Sequence, residues 1–294
     1  MLQSFLNFFR KPAESHPWQG YAEHMKRLGI TQTSLFLSFD CDTDLDAEAT
    51  LSLLPLLEQR GIKASFAVPG TQLLRQKQAY TEVASRGYEF FNHGLRPHTE
   101  WDGQKYVGRT FYNELTPQEV ENDIREADTT LREVLGITPH GFRAPHFGCY
   151  REPDQVAFMH AVCADLGYTY ASTTIPAYAL EHGPAFISQN IVELPLLGSW
   201  NNPTSILDSW TYLADRVHYR LSEEYFTLFN ETIAASTKHR VPLLLSLYVD
   251  PAHVLGQAPF MRMLDMVREL RIPSYTGKEC AQFFRGRLEG TCAA

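Results

Sequence analysis

Short runs typical of β-strands alternate along the chain with longer stretches in which apolar residues recur at helical spacing. The first run, SLFLSFD at 34–40, precedes a helix predicted over 46–59. The helix predicted over 117–135 carries the clearest signals, a capping Thr116 and Gly136 after its end. Further strands are predicted at 64–68, 88–92, 141–144, 168–172, 190–194, 242–249 and 272–275, and further helices at 72–85, 153–166 and 223–238. The alternation predicts an α/β fold, a distorted (β/α) barrel with about seven parallel strands.

No internal repeat, charge block or Gly/Ser-rich linker interrupts residues 30 to 287. The chain has 294 residues, which would suit two average domains, but α/β barrels of about 250 residues fold as one unit. We therefore expect a single barrel domain over 31–287. Residues 1–30 form an N-terminal extension that can include an amphipathic helix, and 288–294 form a C-terminal tail.

Composition and net charge limit the classes of binding partner and the cellular compartment that we expect for this protein. Lys and Arg number 26 against 34 for Asp and Glu, a net charge of -8, which is the wrong sign for binding nucleic acid. Five cysteines without a CxxC pair indicate reduced thiols in a cytoplasmic protein. The N-terminus lacks the features of a signal peptide, and no run of about 18 apolar residues occurs. We expect a cytoplasmic protein.

The apolar N-terminal segment, residues 1–11, has two interpretations. Its apolar residues are Leu2, Phe5, Leu6, Phe8 and Phe9, and they are followed by Arg10 and Lys11. Such a segment can form a short helix on a bilayer surface, which would give peripheral contact with the inner face of the membrane. The same segment can instead pack as a helix on its own domain.

Polar residues cluster directly after four of the predicted strands. They are Asp40 and Asp42 in SFDCD, His93 and His98 in NHGLRPH, Arg143 and His146 in GFRAPHFG, and Asp250 and His253 in VDPAH. Barrel folds place their active sites at the carboxyl ends of parallel strands, so we expect these side chains to meet at one rim.

The motifs SFDCD, NHGLRPH and GFRAPHFG, in that order, resemble those of the polysaccharide deacetylases, the carbohydrate esterase family 4 proteins with a NodB-type domain. The resemblance covers roughly residues 34–275. It implies that a divalent metal ion is held by Asp42, His93 and His98. It further implies that Asp40 is the catalytic base, that Arg143 orients it, and that the main-chain amide of His146 polarises the oxyanion.

The chemistry of these residue types agrees with the resemblance. Two imidazoles and one carboxylate leave open positions on Zn²⁺, so zinc is the cofactor we expect. A bound zinc ion lowers the pKa of water to about 7, which suits amide hydrolysis. Asp40 can then accept the proton of that water, and the charge of Arg143 is expected to keep Asp40 ionised.

Two features depart from the family pattern. His93 and His98 are five residues apart, where the family has four, so both reach one metal ion only from an irregular loop, which Pro97 favours. If Pro251 is aligned with the proline of the family's His-Pro motif, Asp250 stands at the position of the catalytic histidine. The proton donor is then either His253 or Asp250, and Asp250 could act only with a pKa raised by roughly two to three units. The remaining alternative is a site that turns over slowly or not at all.

Other aromatic and imidazole side chains have no motif context. Trp200 and Trp210 suit either stacking on a sugar or burial in a barrel loop. The histidines His140, His160, His182, His218 and His239 are expected at the surface or in packing contacts.

We expect a metal-dependent hydrolase that removes an acyl group, acetyl in the first instance, from an N-acylated saccharide. The absent signal peptide favours a nucleotide- or lipid-linked sugar of surface-polysaccharide assembly. One alternative is a hydrolase of cyclic amides, because the Asp-x-Asp spacing also resembles a branch with such members. Another is a carbohydrate-binding protein that lost turnover when Asp250 replaced the acid. An open groove beside the loop 198–210 would favour a saccharide as the substrate, whereas a closed pocket would favour a cyclic amide. The sequence does not predict the oligomeric state.

Overall fold

The computed structural model describes residues 17–292. Its strands are β1 Ser34–Asp40, β2 Ser65–Val68, β3 Glu89–Asn92, β4 Thr99–Trp101, β5 Tyr106–Gly108, β6 Gly141–Arg143, β7 Tyr170–Ser172, β8 Phe186–Ser188, β9 Ile191–Glu193, β10 Leu213–Asp215, β11 Arg220–Leu221, β12 Leu244–Val249 and β13 Ser274–Tyr275. Its α-helices are α1 Gln19–Arg27, α2 Asp44–Glu58, α3 Gly70–Arg75, α4 Lys77–Ser85, α5 Pro117–Leu135, α6 Pro153–Asp165, α7 Pro176–His182, α8 Glu223–His239, α9 Pro251–Val254, α10 Ala258–Glu269 and α11 Gly277–Cys292.

One large, mostly parallel sheet forms the centre of the molecule. Its strands run in the order β12-β1-β2-β3-β6-β7-β9-β8, and β13 also pairs with β1. The pairs are parallel except for β8 with β9, so the prediction of about seven parallel strands in an α/β fold is confirmed. Every residue of β1 is buried, as expected for a strand covered on both faces.

The chain after β9 joins the two sides of this curved sheet. The Leu196 N–H donates to the Thr174 carbonyl at 3.0 Å, and the Leu197 N–H donates to the Ser246 carbonyl of β12 at 2.9 Å. The closure therefore rests on a few hydrogen bonds instead of a full strand ladder, which makes the barrel a distorted one.

The strands predicted from the sequence are present to within two residues, a difference typical of element ends. The capping box of Thr116 and the left-handed Gly136 bound helix α5 as predicted. The single helix predicted over 72–85 is wrong, because Gln76, at φ -112° and ψ 34°, separates α3 from α4. The sequence patterns also missed the hairpins β4–β5 and β10–β11, the edge strand β8 and the helices α1, α7, α9, α10 and α11.

Helix α1 belongs to the core of the barrel. Tyr21 and Met25 are buried on its inner face, and the Tyr21 hydroxyl accepts a hydrogen bond from the Leu244 N–H of β12 at 2.9 Å. At the other end of the chain, α11 runs from Gly277 through residue 292. Elements on both sides of the expected domain limits, residues 31 and 287, thus pack on one core. The domain limits themselves stay a prediction.

Residues 1–11 lie outside the described residues, so both interpretations of that segment stay open. Within residues 17–292, no helix has the length and apolar character needed to cross a bilayer.

We predict that Trp18→Ala strongly destabilises the fold. Trp18 is 1% exposed, its ring stacks on Trp200 at 5.1 Å, and its indole N–H donates to the Trp200 carbonyl at 3.0 Å. Removing a buried tryptophan costs roughly 3–5 kcal/mol of unfolding free energy, measurable by urea denaturation. Trp210→Ala, at a site that is 43% exposed, is the control and is expected to cost much less. Equal midpoints for the two variants would contradict the packing role of Trp18.

Candidate active site

Six of the predicted site residues line one cleft of about 460 Å³ at the carboxyl ends of the strands. They are Asp40, Asp42, His93, His146, Asp250 and His253. The other two, His98 and Arg143, lie behind this wall with exposures of 1% and 0%. The barrel thus gathers all eight residues at one rim, as their places after β1, β3, β6 and β12 predict.

Asp42, His93 and His98 bring three potential ligand atoms together. The Asp42 Oδ1 atom lies 3.6 Å from His93 Nε2 and 3.2 Å from His98 Nδ1. Two ligands bound to a tetrahedral zinc ion at 2.0–2.1 Å are themselves about 3.3 Å apart, so the spacing fits such an ion. The chain between His93 and Thr99 is irregular, as the five-residue spacing and Pro97 predict.

The bonding state of these side chains also suits a cation. Asp42 Oδ1 and both ring nitrogens of His98 are buried without a hydrogen-bond partner in the described part of the chain. His93 Nδ1 lies 2.9 Å from the Arg143 carbonyl, which fixes Nδ1 as the donor and leaves Nε2 as a free ligand. Burial, and next the neighbouring His98, hold the pKa of His93 well below its usual value, so the ring is neutral.

Asp40 stands beside this group and faces Arg143. Its Oδ2 lies 3.8 Å from His93 Nε2, and its Oδ1 lies 3.5 Å from Arg143 Nε, beyond a hydrogen bond. In the protein without a metal ion, Arg143 alone does not keep Asp40 ionised. Burial raises the pKa of Asp40 well above its usual value, and the opposing charge of Arg143 does not outweigh it; Asp42 raises it further.

Asp250 and His253 form a second pair of site residues that lines the cleft. His253 Nδ1 lies 3.0 Å from Asp250 Oδ2, and the Ser209 hydroxyl donates to the same carboxylate at 2.8 Å. Burial alone would lower the pKa of His253, but the charge of Asp250 and the hydrogen bond to it raise the pKa above the usual value. The imidazole is therefore held in its protonated form more firmly than a free histidine.

Two buried carboxyl groups near this pair were missed as site residues. Asp46 caps helix α2 together with Thr43, and it also accepts the Ala252 N–H at 3.0 Å and lines the cleft. Burial raises the pKa of Asp46 to about 7, with Asp250 adding to the effect. Burial likewise raises the pKa of Asp208 to about 7. Asp208 lies in a loop without a strand pattern, so no local signal marks it.

His146 connects the cleft to the segment after β5. Its backbone has φ +46°, its ring stacks on Phe111 at 4.4 Å, and its Nε2 lies 2.6 Å from the Arg109 carbonyl. The side chain is thus fixed on both sides, which holds the main-chain amide in place at the wall of the cleft.

The two tryptophans separate into different roles. Trp200 is 8% exposed and stacks on Trp18 and on His239, so it is a packing residue. Trp210 is 43% exposed and lines the cleft. Among the other histidines, His160 is fully buried and paired with Glu193 at 2.9 Å, whereas the His218 side chain is 79% exposed.

Comparison with known proteins supports the family resemblance. Residues 30–171 match the model of the family described as polysaccharide deacetylase. No curated protein sequence matches the chain. The three motifs lie within residues 30–171, so the resemblance drawn from them is confirmed as a match of that segment to the polysaccharide deacetylase family model.

Solved structures with the same fold come from several bacteria. A protein provisionally assigned as a polysaccharide deacetylase from Mycobacterium smegmatis has a TM-score of 0.60 at 17% identity, covering 87% of this chain and 91% of its own. A family 4 carbohydrate esterase from Streptomyces lividans, in complex with acetate, has a TM-score of 0.51 at 15% identity, with coverages of 82% and 91%. A CE4 family pseudoenzyme from Bacillus anthracis has a TM-score of 0.51 at 9% identity, with coverages of 85% and 66%. At these identities the likeness shows the fold alone.

We predict that the wild-type protein binds one divalent ion and that His93→Ala and Asp42→Ala each abolish stoichiometric binding. Each variant removes one of three converging ligand atoms. Zinc bound per chain, measured by elemental analysis after dialysis, checks this. His218→Ala removes an exposed imidazole far from the trio in sequence and is expected to retain the ion. Unchanged stoichiometry in both site variants would eliminate the proposed ligand set.

Proposed function

We propose that the protein is a metal-dependent hydrolase that removes an N-acyl group, acetyl in the first instance, from a saccharide. The observation that carries the proposal is the convergence of Asp42, His93 and His98 beside Asp40 in an open cleft. A divalent ion bound by these three residues would polarise the acyl carbonyl and lower the pKa of a water molecule. The donor set favours zinc, because two imidazoles and a carboxylate suit it.

Asp40 is assigned as the general base. It is the carboxyl group in the cleft that adjoins the ligand trio without being needed to complete it. Its raised pKa reflects the state without a cation, and a nearby positive ion would lower it, as opposite charges do. Arg143 is fully buried, so it acts on the reaction through Asp40 and does not touch the substrate.

His253 is assigned as the general acid that protonates the leaving amine. Its Nδ1 is occupied by Asp250 and Ser209, so Nε2 is the ring nitrogen left for the substrate. The raised pKa keeps the ring protonated near neutral pH. Asp250, which stands where the family has a histidine, then orients this imidazole instead of donating the proton itself. The main-chain amide of His146 is assigned to the developing oxyanion.

Several features favour a saccharide as the substrate over a cyclic amide. Ile206, Asp208 and Trp210 of the loop 198–210 line the cleft, which continues into a second, exposed cavity. An open, aromatic-lined groove suits an extended sugar better than a small ring. We propose a nucleotide- or lipid-linked sugar of surface-polysaccharide assembly in the cytoplasm as the substrate.

We predict that Asp40→Asn lowers kcat for deacetylation by at least about 10²-fold, the loss typical of removing a general base. The amide is nearly isosteric with the carboxylate, so bound zinc and the thermal unfolding midpoint should be unchanged. Release of acetate from N-acetylated oligosaccharides measures the rate. The exposed Asp154→Asn is the control and should match the wild type. A fully active Asp40→Asn enzyme would refute the assignment of the base.

We predict that the alkaline limb of the pH–rate profile belongs to His253. The acid must be protonated, and Asp250 raises the pKa of His253 against the lowering effect of burial. Asp250→Asn removes the carboxylate charge, so the pKa of His253 falls and the alkaline limb moves to lower pH. His253→Ala should lose the limb together with most of the turnover.

The profile of kcat against pH for wild type, Asp250→Asn and His253→Ala tests this assignment. Asp215→Asn is a matched control, because Asp215 and His218 form an exposed pair with the same three-residue spacing and a 2.9 Å contact. An unshifted limb in Asp250→Asn that persists in His253→Ala would exclude His253 as the acid.

A further inference from the structure

A second cavity of about 290 Å³ opens beside the cleft. The two cavities share four lining residues, Tyr106, Gly108, Trp210 and Tyr219, so they form one continuous depression. The second cavity is called the side groove below. A molecule bound in the cleft can therefore contact residues that also line the side groove.

Two hairpins missed by the sequence patterns form the walls of the side groove. One is the hairpin of β4 and β5, where the rings of Trp101 and Tyr106 meet at 5.2 Å. The other is the hairpin of β10 and β11, which carries Arg216 and Val217 at its tip. Trp101 is 55% exposed, a large aromatic surface left uncovered beside the cleft. Exposed aromatic faces of this kind stack on the rings of sugars or bases.

Two cationic side chains also line the side groove. Arg216 lies over the Trp210 ring at 5.0 Å, and Lys105 lines the opposite hairpin. Neither residue belongs to an ion pair among residues 17–292. Arg216 and Lys105 are thus two cationic side chains at one cavity without a salt bridge in the described part of the chain, although the Asp102 carboxylate of the β4–β5 hairpin lies near Lys105. They favour an anion between them, since guanidinium and ammonium groups both bind phosphate.

The side groove adjoins the residue assigned as the proton donor. The His253 ring lies 4.4 Å from the Tyr219 ring and 5.8 Å from the Trp210 ring. Both aromatics belong to the side groove and to the cleft. The part of the substrate bound there is thus on the same side as His253.

We propose that the side groove binds a phosphate group attached to the N-acylated saccharide, with Arg216 and Lys105 as its ligands and Trp210 and Trp101 as stacking surfaces. The proposal rests on the proposed function for the position of the sugar. It specifies the substrate as a phosphate-linked saccharide. A nucleoside diphosphate and a lipid diphosphate are the two sources of that phosphate.

Binding measured without turnover tests the proposal. Isothermal titration of the zinc-loaded full chain compares N-acetylglucosamine 1-phosphate with the neutral methyl glycoside of N-acetylglucosamine. We expect the phosphate to bind about tenfold tighter or better, and the difference to shrink as salt rises. Equal affinity for the two sugars would overturn the proposal.

Charge-removing variants locate the phosphate. Arg216→Ala and Lys105→Ala should each weaken binding of the sugar phosphate by about tenfold and leave the neutral glycoside unaffected. Arg220→Ala is the matched control, because Arg220 is an exposed arginine of the same hairpin that does not line the side groove. All three side chains are exposed, so their loss should leave the unfolding midpoint unchanged. Equal effects of Arg216→Ala and Arg220→Ala would overturn the proposal.

Further ligands distinguish the sources of the phosphate. Tighter binding of UDP-N-acetylglucosamine than of the sugar phosphate, with the gain lost in Trp101→Ala, would support a nucleoside diphosphate. A gain only for a short-chain polyprenyl diphosphate sugar would support a lipid carrier. Loss of binding to anionic phospholipid vesicles in Arg216→Ala, without any preference for the sugar phosphate, would assign the hairpins to a membrane surface and overturn the proposal. If phosphate preference persists but no deacetylation is detected, the proposed function alone fails.

Discussion

A single buried guanidinium, Arg143, holds the strands of the active rim in register. It donates to the Ser38 hydroxyl of β1, its carbonyl accepts from the His93 ring after β3, and its charge faces Asp40. Its guanidinium lies over the Phe91, Phe147 and Tyr248 rings at 5.0–5.6 Å. A fully buried charge is costly unless nearby groups compensate it, so this residue fixes where the carboxylate and the imidazole must lie.

The imperfect pairing of Arg143 explains the electrostatics of the rim. Its Nε and Nη1 atoms and the Oδ1 atom of Asp40 have no hydrogen-bond partner in residues 17–292. The attraction between the two charges is therefore too weak to offset the desolvation of Asp40, and the pKa of that carboxyl rises. Asp42 adds a second negative charge, and a cation between Asp42 and the neutral His93 would relieve this repulsion. The rim thus carries a local imbalance of charge that a bound divalent ion would reduce.

The sequence predicted the barrel and its rim because both depend on local patterns. Buried strands such as Ser34–Asp40 are recognisable as apolar runs in the sequence. Residues that follow parallel strands meet at one edge of the sheet regardless of the conformation of the loops. The side groove was not predictable, because β4 and β5 have three residues each and show no period. Asp208 was missed for a related reason: its burial depends on the path of a long loop. Whether His93 and His98 converge depended likewise on irregular backbone dihedrals, which composition does not specify.

Asp250 and His253 together bring a carboxylate and an imidazole to the cleft. Asp250 caps the short helix α9, and His253 lies one turn further on, so a histidine returns to the cleft from a different backbone position. Three carboxyl groups, Asp46, Asp208 and Asp250, influence this one imidazole. Since burial raises the pKa of Asp46 and of Asp208 to about 7, those two groups are partly protonated at neutral pH. The imidazolium then balances mainly the nearby Asp250, so loss of its proton would leave the Asp250 carboxylate without a counter-charge, which favours the protonated ring.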